Sequence, residues 1–368
     1  MSKMKHIIAL LLVLVMSAAA LSACGRDTKP IVTIKGQAFS VEQFLMFQLD
    51  AYNTMANKMS YTFNQQKDDG TYLTVKEQMA LYNNIDGNRV DVWISATTLE
   101  ELRKVVYYDK ALADAGITVS QEEIDKAKEQ AKAIYDYYEA YYNGYYTRNG
   151  INESSVEFWL INSLKENKLF KSIYDTDGTQ AVPEESIKAH FGEMYASAKI
   201  MKVPYYNEKS GVVLTDEQVA NIETFCQTAV EKLNNGQIDI DTLYYNFLLA
   251  NSLIKEGDKV DPIAPVLFDL SNNDYTTDMI TAYKALQIGK AGYTKDTDKG
   301  YFFIYLKGDP LTDDASNYSN YRDAVLRDLK DTEFQNNIMT ITGDYDIEMS
   351  KYLMNKYLPE NIQKQTED

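Results

Sequence analysis

The chain has 368 residues, 54 acidic against 37 basic, and a formal net charge of −17 at neutral pH, so a polyanion such as nucleic acid would be repelled. The length is enough for two domains, and a 45% hydrophobic content supplies packed cores. Only two cysteines and two histidines occur, which argues against a disulfide framework, a Cys/His metal cluster and a His-based catalytic triad.

The N-terminus begins with Met1, Lys3 and Lys5, runs apolar from Ile7 to Val15, and continues through small residues to Leu21-Ser22-Ala23-Cys24. Lysines hold such a start on the cytoplasmic side while the apolar run enters the translocon. The Leu21–Cys24 segment resembles the lipobox of bacterial lipoproteins. That resemblance implies removal of residues 1–23, lipidation of Cys24, a tether over 24–30, and a protein anchored at the outer face of the cytoplasmic membrane by its acyl chains. With Cys24 acylated, Cys226 has no intrachain partner, and its place in a helical apolar pattern assigns it to a core.

Beyond the tether, Ile31–Phe39 reads as a short strand, a Gly36 turn and a second short segment. Ser40 with Gln43 has capping-box spacing and opens a helix running to about Met59. A polar loop over 60–74 follows, then helices over 75–82 and 90–115. Ser120 with Glu123 caps a long helix from Gln121 to about Tyr146. That helix carries Tyr135, Tyr137, Tyr138, Tyr141, Tyr142, Tyr145 and Tyr146, more rings than one buried stripe needs. Asn149-Gly150 ends it, and Ser154 or Ser155 starts the next, through Phe158, Leu160, Leu164 and Phe170.

Pro183 fits the first turn of a helix reaching about Tyr195. The periodicity then changes: a strand over 199–206, a helix from Asp216 to Leu233 capped by Thr215, a helix over 240–249, a loop-rich stretch over 251–275, a helix over 276–286, and an apolar strand from Gly300 to Leu306. Helix returns from Asn317, with an extended piece at 344–349 and a last helix over 350–357. The fold class is α+β: a helical body over 31–195, an α+β insert over 196–310, and C-terminal helices over 311–368.

Several segments resemble the PrsA/SurA type of foldase lipoprotein: the lipobox, the 31–39 opening, Ala115–Ile124, Val182–Ile187 followed by Phe191, Ala282–Lys290 and Gly300–Leu306. The resemblance implies a parvulin-like prolyl isomerase domain at 196–310 and C-terminal helices over 311–368 that pack back on the helical body. In that family one histidine lies on the first strand and another on the last. Here those places hold Ile200 or Met201 and Phe302, and His190 lies on the preceding helix. The domain therefore reads as degenerate, with Met201, Phe268 and Phe302 as a vestigial peptide cleft.

The leading expectation is a membrane-anchored extracytoplasmic chaperone that binds unfolded or partly folded exported polypeptides, without efficient isomerase activity. Its candidate client-binding residues are Tyr135, Tyr138, Tyr142 and Tyr145. The alternatives are a non-catalytic binding or structural lipoprotein, and an isomerase with a substituted site. No cofactor and no metal are called for, since no phosphate-cradling loop or calcium loop occurs. A carboxylate pair assembled from distant positions stays open. The acidic surface would suit basic clients, although solubility alone accounts for the same charge. A homodimer through the N-terminal helices is implied only by the resemblance.

Overall fold

The computed structural model describes residues 29–59, 66–81, 84–207, 212–271, 275–313 and 315–364. Cys24 and the 1–23 leader lie outside them, as does most of the 24–30 tether. Among the described residues no helix is long and apolar enough to cross a membrane.

The chain divides into two units, Met1–Thr179 with Thr332–Asp368, and Gln180–Asp331. The helix over 184–194, grouped with the helical body by its sequence pattern, falls in the second unit.

The first unit opens with the hairpin β1 (Val32–Ile34) and β2 (Gln37–Phe39), joined by Lys35 and Gly36 with φ of 48° and 84°. Two successive positive φ values match the right-handed twist of the flanking strands, and glycine takes the second without a Cβ penalty. Helices follow in order: α1 (Val41–Lys58), α2 (Val75–Leu81), α3 (Val90–Asp114), α4 (Gln121–Tyr141), α5 (Tyr145–Arg148) and α6 (Glu153–Tyr174). Ser40 and Ser120 both close reciprocal capping boxes, with Gln43 and Glu123 as expected. Asn152, not Ser154 or Ser155, caps α6: its side chain accepts from the Ser155 amide at 2.9 Å. Each such cap is worth about 1 kcal/mol.

The core of this unit gathers Ile31, Ile34, Phe44, Tyr52, Ile94 and Leu102 with Leu353 and Ile362 from the far end of the chain. The extended piece at 344–349 contains β9 (Ile347–Met349), which pairs antiparallel with β1, Val32 facing Met349 and Ile34 facing Ile347. The three-stranded order is β2-β1-β9.

The second unit begins with α7 (Glu184–Met194), where Pro183 stands at the N-cap position, one place before the first turn. Its strands and helices are β3 (Tyr195–Pro204), β4 (Tyr206–Asn207), β5 (Val212–Val213), α8 (Asp216–Asn234), α9 (Ile240–Ala250), β6 (Val266–Asp269), α10 (Thr277–Ala285), β7 (Ala291–Asp296) and β8 (Tyr301–Lys307). The division between units falls within α11 (Ala315–Thr342), and α12 (Lys351–Lys356) ends the series in the first unit. The main sheet has the order β6-β3-β8-β7, antiparallel throughout. β6 corrects the reading of 251–275 as loop: four residues after Pro265 form a strand because β3 supplies the partner, Ala196 facing Phe268.

Side chains alternate across this sheet. Met201, Val203, Phe302 and Ile304 meet Cys226 of α8 and Leu243 of α9 on one face, while Ala196, Ala198, Phe268, Phe303 and Tyr305 meet Met279 and Tyr283 of α10 on the other. Burial pushes the Cys226 thiol up to about 12, the behaviour of a core residue and not of a nucleophile.

His190 on α7 lies 2.8 Å from Asp328 and 3.2 Å from Glu193. The Asp328 hydrogen bond raises its pKa above the usual value. A raised folded pKa gives stability that is complete below the unfolded value of about 6.5 and is lost as pH rises through the folded one. Both carboxylates are largely in water, so the effect is at most about 1 kcal/mol. Thermal unfolding is expected at a slightly higher temperature at pH 6 than at pH 8, with the difference removed in His190→Gln; an unchanged difference would show that other groups cause it.

Candidate aromatic binding surface

The tyrosine-rich segment is not one helix. α4 stops at Tyr141, Asn143 and Gly144 take φ of 48° and 68°, and the four-residue α5 follows. Asn143-Gly144 is itself a helix-ending pair, a signal that the run of aromatic residues obscured. The turn folds Tyr145 and Tyr146 back onto α4. Tyr135 and Tyr146 stack at 5.7 Å, and Tyr138 lies 5.4 Å from Tyr142, 5.9 Å from Tyr145 and 5.1 Å from Tyr146.

Hydrogen bonds fix the turn. The Tyr135 hydroxyl is 3.0 Å from Thr147 Oγ1, and that hydroxyl donates to Glu139 Oε2 at 2.7 Å. Arg148 Nε donates to the Asn143 carbonyl at 2.8 Å. Adding a Cβ at Gly144 meets nothing closer than Glu139 Oε2 at 3.6 Å, so the cost of Gly144→Ala is conformational, about 1–2 kcal/mol for a left-handed residue. Chemical denaturation of the variant is expected to show that loss; unchanged stability would mean the turn adapts freely.

The four tyrosines selected by sequence separate by burial. Tyr145 is 3% exposed and belongs to the core, while Tyr135, Tyr138 and Tyr142 pack half-buried against it. Burial pushes the Tyr145 and Tyr146 hydroxyls well above their ordinary pKa. The rings that face solvent are Tyr137, 47% exposed, and Tyr141, 66% exposed, with centroids 4.8 Å apart. Tyr137 also meets Tyr138 edge-on at 5.5 Å and Tyr142 at 5.9 Å. The result is an exposed aromatic pair backed by a rigid layer of rings.

The same unit has a crevice of about 520 Å³ where Lys35, Tyr107, Lys110, Asp114, Ile341 and Tyr345 come together. Lys35 Nζ stands 4.4 Å from the centre of the Tyr345 ring, and Lys110 pairs with Asp114 at the rim. Ile341 is exposed there.

Met201, Phe268 and Phe302 do not share a cleft. All three are buried, and Phe268 lies on the opposite face of the sheet from the other two. The period of two explains the discrepancy: a shift of one residue along β3 or β8 moves a side chain through the sheet. The residues that face α10 with Phe268 are Ala198, Phe303 and Tyr305, with Ile200 packed beside them. Among the described residues no cluster of three or more His, Cys, Asp or Glu is placed to hold a metal ion.

The chain matches no protein-family model and no curated protein. Solved structures to which it is similar include foldase proteins PrsA and a SurA-like chaperone. The foldase protein PrsA of Streptococcus pneumoniae is 13% identical with a TM-score of 0.36, over 81% of this chain and 99% of that one. PrsA of Lactococcus lactis is 14% identical with a TM-score of 0.32, over 90% and 99%. A SurA-like chaperone of Campylobacter jejuni is 11% identical with a TM-score of 0.25, over 88% and 99%.

Proposed function

We propose that this chain is an extracytoplasmic chaperone, anchored to the membrane through lipid on Cys24, that binds unfolded or partly folded exported polypeptides. The observation that carries the reading is the exposed pair Tyr137 and Tyr141, supported from behind by Tyr138 and Tyr142. Tyrosine offers a large contact area with little side-chain entropy to lose, and its hydroxyl keeps an exposed ring soluble between clients. Tyr135, Tyr138 and Tyr142 act as the partly accessible margin of this surface. The crevice beside Tyr107 and Tyr345 gives a client segment a second place to lodge.

Efficient prolyl isomerisation is not part of the proposal. A site lowers the barrier of roughly 20 kcal/mol by orienting a twisted, desolvated amide with fixed polar groups. The face of the main sheet toward α10 presents Ala198, Phe303 and Tyr305, and the Tyr305 hydroxyl already meets Thr294 at 3.1 Å. His190 is on α7, held by Asp328 and Glu193.

The test is a pair of assays on residues 25–368. Aggregation of a chemically unfolded secretory protein is expected to be suppressed near equimolar ratio, and a proline-peptide assay is expected to show only the spontaneous rate. Absence of protection would remove the chaperone reading; acceleration of the proline step would restore the isomerase alternative.

A further inference from the structure

A second cavity in the first unit, of about 120 Å³, is lined by Asp50 of α1, Glu101 and Tyr108 of α3, and Trp159, Asn162 and Glu166 of α6. The residues of α3 and α6 recur at helical spacing, so their stripes converge on one space. Such an inward stripe is normally apolar. Here it brings three carboxyl groups together against aromatic walls.

Each carboxyl group has a donor within reach: Asp50 accepts a hydrogen bond from the Trp159 side chain. Lys104 Nζ reaches Glu101 Oε1 at 2.7 Å, but also Glu100 at 3.4 Å outside the cavity. Gln335 Nε2 donates to Glu166 Oε1 at 2.9 Å. Asn162 is 2% exposed; its Nδ2 donates to the Phe158 carbonyl at 2.8 Å, which fixes the amide, and its Oδ1 has no hydrogen-bond partner. A buried amide oxygen without a donor is costly to keep. Its persistence on the wall of an acidic cavity points to a donor that arrives from outside. Ser163 at the same wall is exposed, so the cavity is reached from solvent.

The carboxylates do not converge closely enough to hold a metal ion among the described residues. A broad cation with several donors matches them better. Guanidinium presents five N–H groups in a plane and stacks on aromatic rings, which Trp159 and Tyr108 supply. At roughly 30 Å³ per water-sized group, the cavity accommodates the four heavy atoms of one guanidinium.

We propose that this cavity binds the guanidinium of an arginine side chain carried by a polypeptide client, with Asp50, Glu166 and Asn162 Oδ1 as acceptors and Trp159 as the stacking wall. The inference rests on the chaperone reading and gives it a substrate class: exported chains with arginine beside aromatic or aliphatic residues.

The test uses the full chain in detergent micelles and two extended peptides identical except for one arginine or norleucine. Binding is followed by calorimetry and by tryptophan fluorescence, to which Trp159 contributes as one of two tryptophans. The arginine peptide is expected to bind about tenfold more tightly, in line with one charge-assisted contact. That preference is expected to vanish in Asp50→Asn and in Glu166→Gln. Both substitutions keep an acceptor oxygen, and Asp50→Asn also removes a carboxylate whose burial disfavours its charge, so the fold is expected to survive, as near-UV circular dichroism would verify. N-acetylarginine amide separates the free cation from the peptide: weaker binding with the same sensitivity to the two variants supports the site. Equal affinity for the two peptides, or a preference that persists in both variants, overturns the inference. If the preference is absent while aggregation is still suppressed, the cavity assignment fails and the chaperone reading stands. If neither peptide binds and aggregation is not suppressed, both fail.

Discussion

Replacing Tyr137 and Tyr141 together by serine is expected to weaken client binding by at least about tenfold while leaving the stability of the chain nearly unchanged. Tyr141 is mainly in solvent and Tyr137 about half so, and surface substitutions of this kind usually shift stability by no more than about 0.5 kcal/mol. Aromatic anchors at a binding surface contribute roughly 1–2 kcal/mol or more each when a partner covers them, so losing two exceeds a factor of ten. Tyr145→Ser provides the contrast. That ring is 3% exposed, 5.8 Å from Tyr146 and 5.9 Å from Tyr138, and its removal is expected to cost about 3–5 kcal/mol as a core cavity. Aggregation suppression and denaturant unfolding on the two variants separate the roles. If the Tyr137/Tyr141 variant protects a client as well as the parent chain does, the exposed pair is not the binding surface.

The second large effect is expected at Phe302. It is fully buried on β8, opposite Val203 of β3, with Tyr205 edge-on at 5.5 Å and Cys226 of α8 in the same cluster. Phe302→Ala leaves a void in the core between the sheet and its two helices, at a cost of about 3–5 kcal/mol, a large share of the roughly 5–15 kcal/mol that holds an ordinary domain together. Unfolding followed by circular dichroism is expected to shift to markedly lower denaturant. If stability instead fell by less than about 1 kcal/mol while peptide binding was abolished, Phe302 would belong to a cleft and not to a core.

These two positions mark where sequence reading succeeds and where it stops. Tyr135 and Tyr138, three apart on α4, share the face that packs inward, whereas Tyr142 and Tyr145 lie beyond the end of α4 and join that layer because the Asn143-Gly144 turn folds the chain back. The exposed Tyr137 and Tyr141 are four apart on the adjoining face. Spacing identifies two faces and does not say which one meets a neighbour. On the sheet, Met201 and Phe302 lie on β3 and β8, where the apolar patterns predict strands, but a one-residue ambiguity decides which layer receives each side chain.

Local chemistry was legible wherever a few neighbouring residues settle the outcome. The Ser40–Gln43 and Ser120–Glu123 boxes close as their spacing requires, and Thr215 caps its helix, since both partners sit within one turn. The burial of Cys226 followed from its apolar helical pattern. Pairings across long separations were not legible. β6 exists because β3 accepts it, and β9 finds β1 from the opposite end of the chain, where Lys35 donates to the Asp346 carbonyl at 3.0 Å and Ser350 to the Ile31 carbonyl at 2.9 Å.

The sequence by itself determined the α+β class, the succession of capped helices, the acidic balance and the scarcity of histidine and cysteine, because composition, periodicity and capping act over at most a few turns of chain. Only the tertiary structure decided which tyrosines face water, that Met201 and Phe268 lie on opposite faces of one sheet, and that Asp50, Glu101 and Glu166 meet around Asn162. Those outcomes depend on which helices and strands become neighbours, and that choice is made by burying apolar area across the whole chain, with hydrogen-bonding groups left wherever the packing carries them.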